Sequence, residues 1–194
     1  MIFKFNLKDE VSHIRDIIVS EAEKKKHLGN YNFHLTTEHD SYLYDVFTEK
    51  CRSFLKFSLK EKEQKVWCLY NDKDYRQGNG IWHNHTKTST INGVLYLKTI
   101  KGCGIRYIGK SIQYFEPEDF DLLIFPNYIL HCPVFDGNQT RVSINLELNC
   151  NESSINIFGS VAESVDAPDL KSVENYLVGV QVPPLLPKYL RSML

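Results

Sequence analysis

The sequence predicts a mainly β fold with N-terminal helices, in which the strands form a double-stranded β-helix barrel of the jelly-roll or cupin-like type. Two observations support this prediction. Early in the chain, apolar residues recur at helical spacing. From Val66 onward, short strand-like runs alternate with glycine, asparagine, aspartate and proline, a pattern typical of antiparallel barrels. We expect one domain over residues 1–158, with a helical part at 1–62 and the barrel at 63–158.

Two helices are expected to cover one outer face of the barrel. The first, over about residues 7–25, follows Asn6, a residue type that caps helix N-termini, and has Asp9 in its first turn. Its apolar stripe is Val11, Ile14, Ile18 and Ala22. The second helix is expected over about residues 38–60, and its stripe is Leu43, Phe47, Cys51 and Phe54. Such stripes usually pack against a core.

The barrel strands are predicted from apolar runs bounded by turn-forming residues. The predicted strands are residues 66–70, 80–85, 91–98, 105–108, 122–125, 141–148 and 155–158. Eleven tyrosines and eleven phenylalanines suit such a β-rich interior.

Residues 159–194 differ in sequence pattern from the predicted barrel. They show no strand alternation, and several prolines interrupt regular structure. Residues 161–172 resemble the conceptual translation of the D-arm and a leucine-type anticodon loop of a transfer-RNA gene, and residues 180–184 resemble that of its T-arm. We therefore interpret residues 159–194 as a tail read through into an adjacent tRNA gene. The alternative is an ordinary C-terminal segment that packs through Tyr176, Leu185 and Leu186.

Composition excludes several classes of function. Lysine and arginine total 23 against 24 acidic residues, so no basic charge indicates a nucleic-acid or membrane partner. The five cysteines are odd in number and include no Cys-x-x-Cys pair, which predicts reduced thiols. Neither a signal peptide nor an apolar stretch near the roughly eighteen residues of a membrane span is found. A cytoplasmic location is therefore expected.

Three histidines are the candidate metal ligands. His83 and His85 are two positions apart, so on an extended strand both imidazoles project from one face and can converge on one ion. His131 is the best third candidate, because it follows the apolar run 122–126 and precedes Cys132 and a proline, where a strand end or turn is expected. Cys132 is expected to be a buried thiol. The remaining histidines are interpreted as surface or hydrogen-bonded residues: His13, His27, His34 and His39.

A candidate carboxylate-binding position follows ten residues after His131. Arg141 opens the run 141–148, and alternation places Arg141, Ser143 and Asn145 on one face. A guanidinium with a hydroxyl two residues on can hold a carboxylate by charge-assisted hydrogen bonds, and its planar fork does so better than a lysine.

Together these residues resemble the motif of the iron(II) and 2-oxoglutarate-dependent oxygenase superfamily. Its members carry a His-x-Asp or His-x-Glu pair, a distal His and, about ten residues later, an Arg or Lys that binds the far carboxylate of 2-oxoglutarate. The corresponding positions here are His83, His85, His131 and Arg141. Residues 93–97, 102–107 and 122–126 look like core strands of the prolyl-hydroxylase-like branch. The resemblance covers about residues 66–149, less than half of the chain.

The resemblance implies a dioxygenase that couples oxidative decarboxylation of 2-oxoglutarate to hydroxylation. The three histidines would hold Fe(II), while Arg141 and Ser143 would bind the distal carboxylate of the cosubstrate. Tyr96 is a further candidate donor to that carboxylate, and no catalytic residue is expected beyond the metal ligands. Ascorbate is a candidate additional cofactor, and O₂ is the second cosubstrate. By analogy, the prime substrate is a protein or peptide side chain, with a small metabolite or a nucleobase as alternatives.

His85 departs from the family pattern, which has a carboxylate at this position. A site of three neutral imidazoles carries one negative charge fewer than a site of two imidazoles and a carboxylate. We interpret His85 as a variant ligand, the alternatives being a changed metal or an inactive site. Two other functions stay open, a cupin-like three-histidine enzyme that does not use 2-oxoglutarate and a non-catalytic metal- or sugar-binding barrel. Arg141 separates them, because only the oxygenase needs a buried cation after the distal histidine.

Overall fold

The computed structural model describes residues 2–55, 57–59, 65–75, 79–109, 111–135 and 140–150, together with the strand residues 177–178. The elements, in chain order, are β1 Ile2–Asn6, α1 Lys8–His27, β2 Asn32–Phe33, α2 Thr37–Phe54, β3 Lys65–Asn71, β4 Ile91–Lys98, β5 Cys103–Ile108, β6 Ile112–Phe115, β7 Asp121–Pro126, β8 His131–Phe135, β9 Arg141–Leu148 and β10 Leu177–Val178.

Two antiparallel sheets form the barrel. The large sheet has the strand order β10-β1-β7-β4-β9-β3-β2, and the small sheet has the order β6-β5-β8. The sheets pack face to face through a shared apolar cluster, in which Tyr96 and Phe125 of the large sheet meet Ile105 and Tyr107 of the small sheet. The predicted double-stranded β-helix fold, of jelly-roll or cupin-like type, is confirmed.

The two helices cover the outer face of the large sheet, as predicted. The stripe of α1 is buried at all four predicted positions, and in α2 Leu43, Phe47 and Cys51 are buried. These side chains belong to one core cluster with the apolar residues of β3, β4 and β9. The helices therefore close one face of the sheet and leave the other face to line the barrel.

Strand β9 shows how the sequence pattern divides these two faces. Its even-numbered residues join the core beneath the helices: Val142, Ile144, Leu146 and Leu148. Its odd-numbered residues line a pocket between the two sheets: Arg141, Ser143, Asn145 and Glu147. Because side chains alternate along a strand, burying the aliphatic set against the helices turns the polar set into the barrel.

The helix boundaries differ from prediction in two places. The N-cap of α1 is Leu7, whereas the predicted cap Asn6 accepts a hydrogen bond from the backbone N–H of Lys8 at 3.1 Å. Helix α2 ends at Phe54 and not near residue 60, because Leu55 is extended and buried in the core. Burial of Leu55 in an extended conformation thus outweighs the helical pattern at this position.

The strand predictions also need correction. Residues 80–85 are not a strand, since the chain turns at Gly80 (φ 75°) and is irregular apart from an isolated bridge at His83. His131 lies at a strand end, as expected, but the strand is β8, which the sequence pattern does not predict. The short strands β1, β2, β6 and β10 are also unpredicted, and the predicted strand 155–158 lies outside the described residues.

Of the predicted tail, residues 159–194, the structure describes Leu177 and Val178, which pair with Phe3 and Ile2 of β1. The rest of the tail lies outside the described residues, so its origin and the domain boundaries stay predictions. All five cysteines are buried and unbridged. Within the described ranges, neither helix is long and apolar enough to cross a bilayer.

Gly93 sets the close approach of β4 to α2. A methyl group there would lie 2.5 Å from Cε2 of Phe47, far inside the roughly 3.5–4.0 Å of a carbon contact. We expect Gly93→Ala to lower the free energy of unfolding by about 1–3 kcal/mol, measured by urea denaturation, because overpacking displaces the ring. Combining it with Phe47→Leu should cost less than the two single changes added together. A Gly93→Ala protein as stable as the wild-type protein would contradict this account of the helix–sheet contact.

Candidate metal centre and adjoining pocket

The three predicted histidines come together between the two sheets. One ligand nitrogen from each of His83, His85 and His131 lies within 4.8 Å of the other two. The backbones of His83 and His131 form a reciprocal pair, each N–H donating to the carbonyl of the other at 2.9 Å. The N–H of His85 donates to the carbonyl of Asn127 at 2.9 Å, which holds the second histidine against the β7–β8 turn. The three imidazoles are therefore close enough together to serve as ligands of one ion.

Hydrogen bonds at Nδ1 determine which nitrogen of each ring is available to a metal. In His83 and His131, Nδ1 lies 3.1 and 3.0 Å from the backbone carbonyl oxygen two residues earlier in the chain. In His85, Nδ1 lies 2.8 Å from Oε1 of Glu147. Carbonyl and carboxylate oxygens accept hydrogen bonds, so each Nδ1 carries the proton. Each Nε2 therefore keeps a free lone pair for a metal.

Burial keeps two of these imidazoles neutral. Burial lowers the pKa of His83. A hydrogen bond to the carbonyl of Ile81 acts in the opposite direction, and the nearby His85 lowers the pKa further, so that the net shift is downward. Burial lowers the pKa of His131 to about 3. A neutral imidazole is the form that binds a metal, so both rings are ready for coordination near neutral pH.

Glu147 belongs to this site, although the sequence reasoning did not single it out. Its Oε1 accepts hydrogen bonds from Nδ1 of His85 at 2.8 Å and from Oγ1 of Thr88 at 3.1 Å. Burial by itself would raise the pKa of Glu147, but these two hydrogen bonds, together with the electrostatic influence of His85 and Lys65, outweigh burial and hold the pKa below its usual value. The signal was present in the alternation of β9, which places Glu147 on the face of Arg141 and Ser143.

Arg141 lines the same pocket and is only 3% exposed. Its Nη2 donates to Oδ1 of Asn71 at 2.7 Å and its Nη1 to the carbonyl of Val134 at 3.3 Å, while Nε has no partner in the described part of the chain. Burial lowers its pKa. Among the described residues, no carboxylate forms an ion pair with it. Because a buried charge without a counter-charge is costly, the arrangement favours an anionic ligand.

The remaining pocket residues are rich in hydrogen-bond donors. Ser143 and Tyr96 are buried side by side, in register on β9 and β4. Burial raises the pKa of Tyr96 to about 12, so its hydroxyl keeps its proton. The amide Nδ2 groups of Asn92 and Asn145 are buried without acceptors in the described structure. The cavity measures about 170 Å³, which suits a small ligand, since an engineered cavity of about 150 Å³ binds benzene.

Solved structures share this fold. HygX from Streptomyces hygroscopicus, determined with nickel and 2-oxoglutarate bound, is 11% identical with a TM-score of 0.54, over 76% of this chain and 81% of HygX. A prolyl 4-hydroxylase from Phytophthora capsici is 13% identical with a TM-score of 0.50, over 72% of this chain and 56% of that chain. No family model and no curated protein matches the sequence. The chain thus has the fold of 2-oxoglutarate and iron(II)-dependent oxygenases.

Proposed function

We propose that the protein is a non-haem iron(II) oxygenase that uses 2-oxoglutarate as its cosubstrate. The observation that carries this proposal is a buried guanidinium without a carboxylate partner among the described residues, Arg141, in the pocket that His83, His85 and His131 also line. A 2-oxo dicarboxylate can bind a metal through its 2-oxo acid group and a cation such as Arg141 through its distal carboxylate. The fold supports the proposal, since HygX has this fold and binds nickel and 2-oxoglutarate.

Each residue has a role in this proposal. His83, His85 and His131 hold the metal through Nε2, and the hydrogen bonds at Nδ1 keep the rings in orientation. Arg141 and Ser143 bind the distal carboxylate of the cosubstrate, with Tyr96 as a further donor. Bound iron(II), with 2-oxoglutarate and O₂, would supply the oxidation, in which decarboxylation of the cosubstrate is coupled to hydroxylation of a prime substrate.

The chain also supplies an apolar wall beside the metal site. The ring of Phe125 lies edge-on to the ring of His131, with the centroids 4.9 Å apart. Val94 and Ile105 line the same pocket from opposite sheets. These side chains exclude water, which strengthens the interactions of Arg141 and protects reactive species from side reactions. A protein or peptide side chain is the prime substrate we propose, by analogy with the prolyl-hydroxylase-like branch.

A cupin-like three-histidine enzyme that does not use 2-oxoglutarate is the second candidate. The observation that favours it is the metal set itself, which consists of three imidazoles and no direct carboxylate. That function requires no buried cation in the pocket, so Arg141 would then have no assigned ligand. Binding of 2-oxoglutarate decides between the two.

The proposed function is tested by turnover of 2-oxoglutarate without a prime substrate. We expect the purified protein, supplied with iron(II), ascorbate and O₂, to convert 2-oxoglutarate slowly to succinate, because many such sites decarboxylate the cosubstrate without coupling. Succinate is measured by mass spectrometry, and a chelator-treated sample is the control. A protein that binds iron(II) but shows neither succinate formation nor 2-oxoglutarate binding by calorimetry would favour the cupin-like candidate.

A further inference from the structure

We infer that Glu147 is a positioning residue of the metal centre: its carboxylate orients His85 and provides, through the hydrogen bond to Nδ1, the negative charge that related oxygenases place directly on the metal. The inference rests on the metal site of the proposed function. It assigns a role to a residue that lies 62 positions from its partner in the sequence.

The geometry ties the carboxylate to one imidazole. Oε1 of Glu147 lies 2.8 Å from Nδ1 of His85, and the two side chains are only 7% and 19% exposed. The hydroxyl of Thr88 donates to the same oxygen at 3.1 Å. Lys65, the cation on the neighbouring strand, donates instead to the carbonyl of Thr88 at 3.0 Å. Among the described residues, the carboxylate of Glu147 therefore accepts side-chain hydrogen bonds from His85 and Thr88, and His85 is its one ring partner.

The backbone holds Glu147 in place behind His85. Its neighbours Leu146 and Leu148 are buried in the core beneath the helices. Glu147 itself pairs with Lys65 on β3 and with Asn92 on β4. A carboxylate on a central strand of the large sheet has little freedom to move, so it can fix both the tautomer and the orientation of the ring it contacts.

The three histidines differ in the charge of their partners. His83 and His131 donate from Nδ1 to neutral backbone carbonyls, whereas His85 donates to a carboxylate. An imidazole that donates to a carboxylate is a more basic ligand. His85 also occupies the position where the family pattern has Asp or Glu. The negative charge missing from that position is thus present one hydrogen bond farther from the metal.

The test compares variants that separate shape from charge. Glu147→Gln keeps an oxygen acceptor of nearly the same shape but loses the charge, and Glu147→Ala loses both. We expect Glu147→Ala to weaken iron(II) or cobalt(II) binding about 10–100-fold, measured anaerobically by competition with a chelator, and Glu147→Gln to lie between it and wild type. In the cobalt(II) protein, the hyperfine-shifted proton signal of His85 Nδ1–H should move in Glu147→Gln, while those of the other two histidines stay in place.

A double-mutant cycle distinguishes action through His85 from a general structural role. With His85→Asp the ligand is itself anionic, so adding Glu147→Gln should change metal affinity by less than about twofold. Glu49→Gln, on the exposed side of α2, is the matched control and should match wild type. The same loss from Glu147→Gln in both backgrounds would overturn the inference.

Metal binding by the wild-type protein distinguishes failure of the proposed function from failure of the inference about Glu147. If the wild-type protein binds no divalent metal, the proposed function fails and the role of Glu147 fails with it. If the wild-type protein binds metal and Glu147→Gln binds it equally well, with an unmoved His85 signal, only the inference about Glu147 is wrong. Metal binding with a Glu147 effect but without 2-oxoglutarate turnover would leave the inference standing and remove the proposed cosubstrate.

Discussion

His131→Ala is expected to abolish metal binding and 2-oxoglutarate turnover together. His131 is the most buried of the three histidines at 3% exposure, and its backbone pairs with that of His83. Removing its imidazole leaves two nitrogen ligands, so the loss of affinity should exceed the about 10–100-fold typical of losing a hydrogen-bond partner of a ligand. Metal content is measured after equilibration with iron(II) or cobalt(II), and turnover is measured on the same samples.

His34→Ala is the matched control for this change. His34 is 73% exposed, and its Nδ1 lies 2.7 Å from the carbonyl of Val66, outside the histidine cluster. This variant should retain both metal binding and turnover. Full metal occupancy in His131→Ala would show that the ion is held elsewhere, and the three-histidine site would have to be abandoned.

Arg141→Ala is expected to weaken 2-oxoglutarate binding by about 2 kcal/mol or more, which is about 30-fold in Kd. The guanidinium is buried and has no carboxylate partner in the described structure, so the distal carboxylate of the cosubstrate would be its counter-charge. Losing it leaves that carboxylate buried and unpaired. Calorimetry on the metal-loaded protein measures the affinity, and metal binding itself should be unchanged.

Two further variants sharpen this result. Arg141→Lys should recover only part of the affinity, because an ammonium cannot reproduce the planar fork of the guanidinium. Arg106→Ala removes an exposed arginine on β5 and should leave 2-oxoglutarate affinity at the wild-type value. An Arg141→Ala protein with unchanged affinity for 2-oxoglutarate would favour the cupin-like function.

Strand β9 shows why much of the candidate site could be predicted. Alternation within eight residues is a local property of an extended chain, and it was enough to place Arg141, Ser143 and Asn145 on one face. The same alternation places Glu147 on this face, but it does not identify His85 as the hydrogen-bond partner of Glu147. Nothing in the sequence near His85 indicates that a residue 62 positions later would accept a hydrogen bond from its ring.

The strands that escaped prediction share a physical cause. β1, β2, β6 and β10 are short, and β8 contains a proline, so their periodic signal is weak. Each is a strand because a neighbour supplies hydrogen bonds: β7 for β1, β3 for β2, β5 for both β6 and β8, and β1 for β10. Pairing of this kind depends on distant parts of the chain, which local patterns do not encode.

Periodicity was therefore sufficient for the fold class and the helix faces, and residue chemistry with the family resemblance selected the three histidines and the arginine, whose roles stay proposals. Those features follow from backbone geometry acting over a few residues. The irregular path of residues 80–85, the reciprocal pairing of His83 with His131 and the contact of Glu147 with His85 required the folded chain. These features depend on the register of the strands and on how the two sheets pack against each other. Both result from the packing of the whole core.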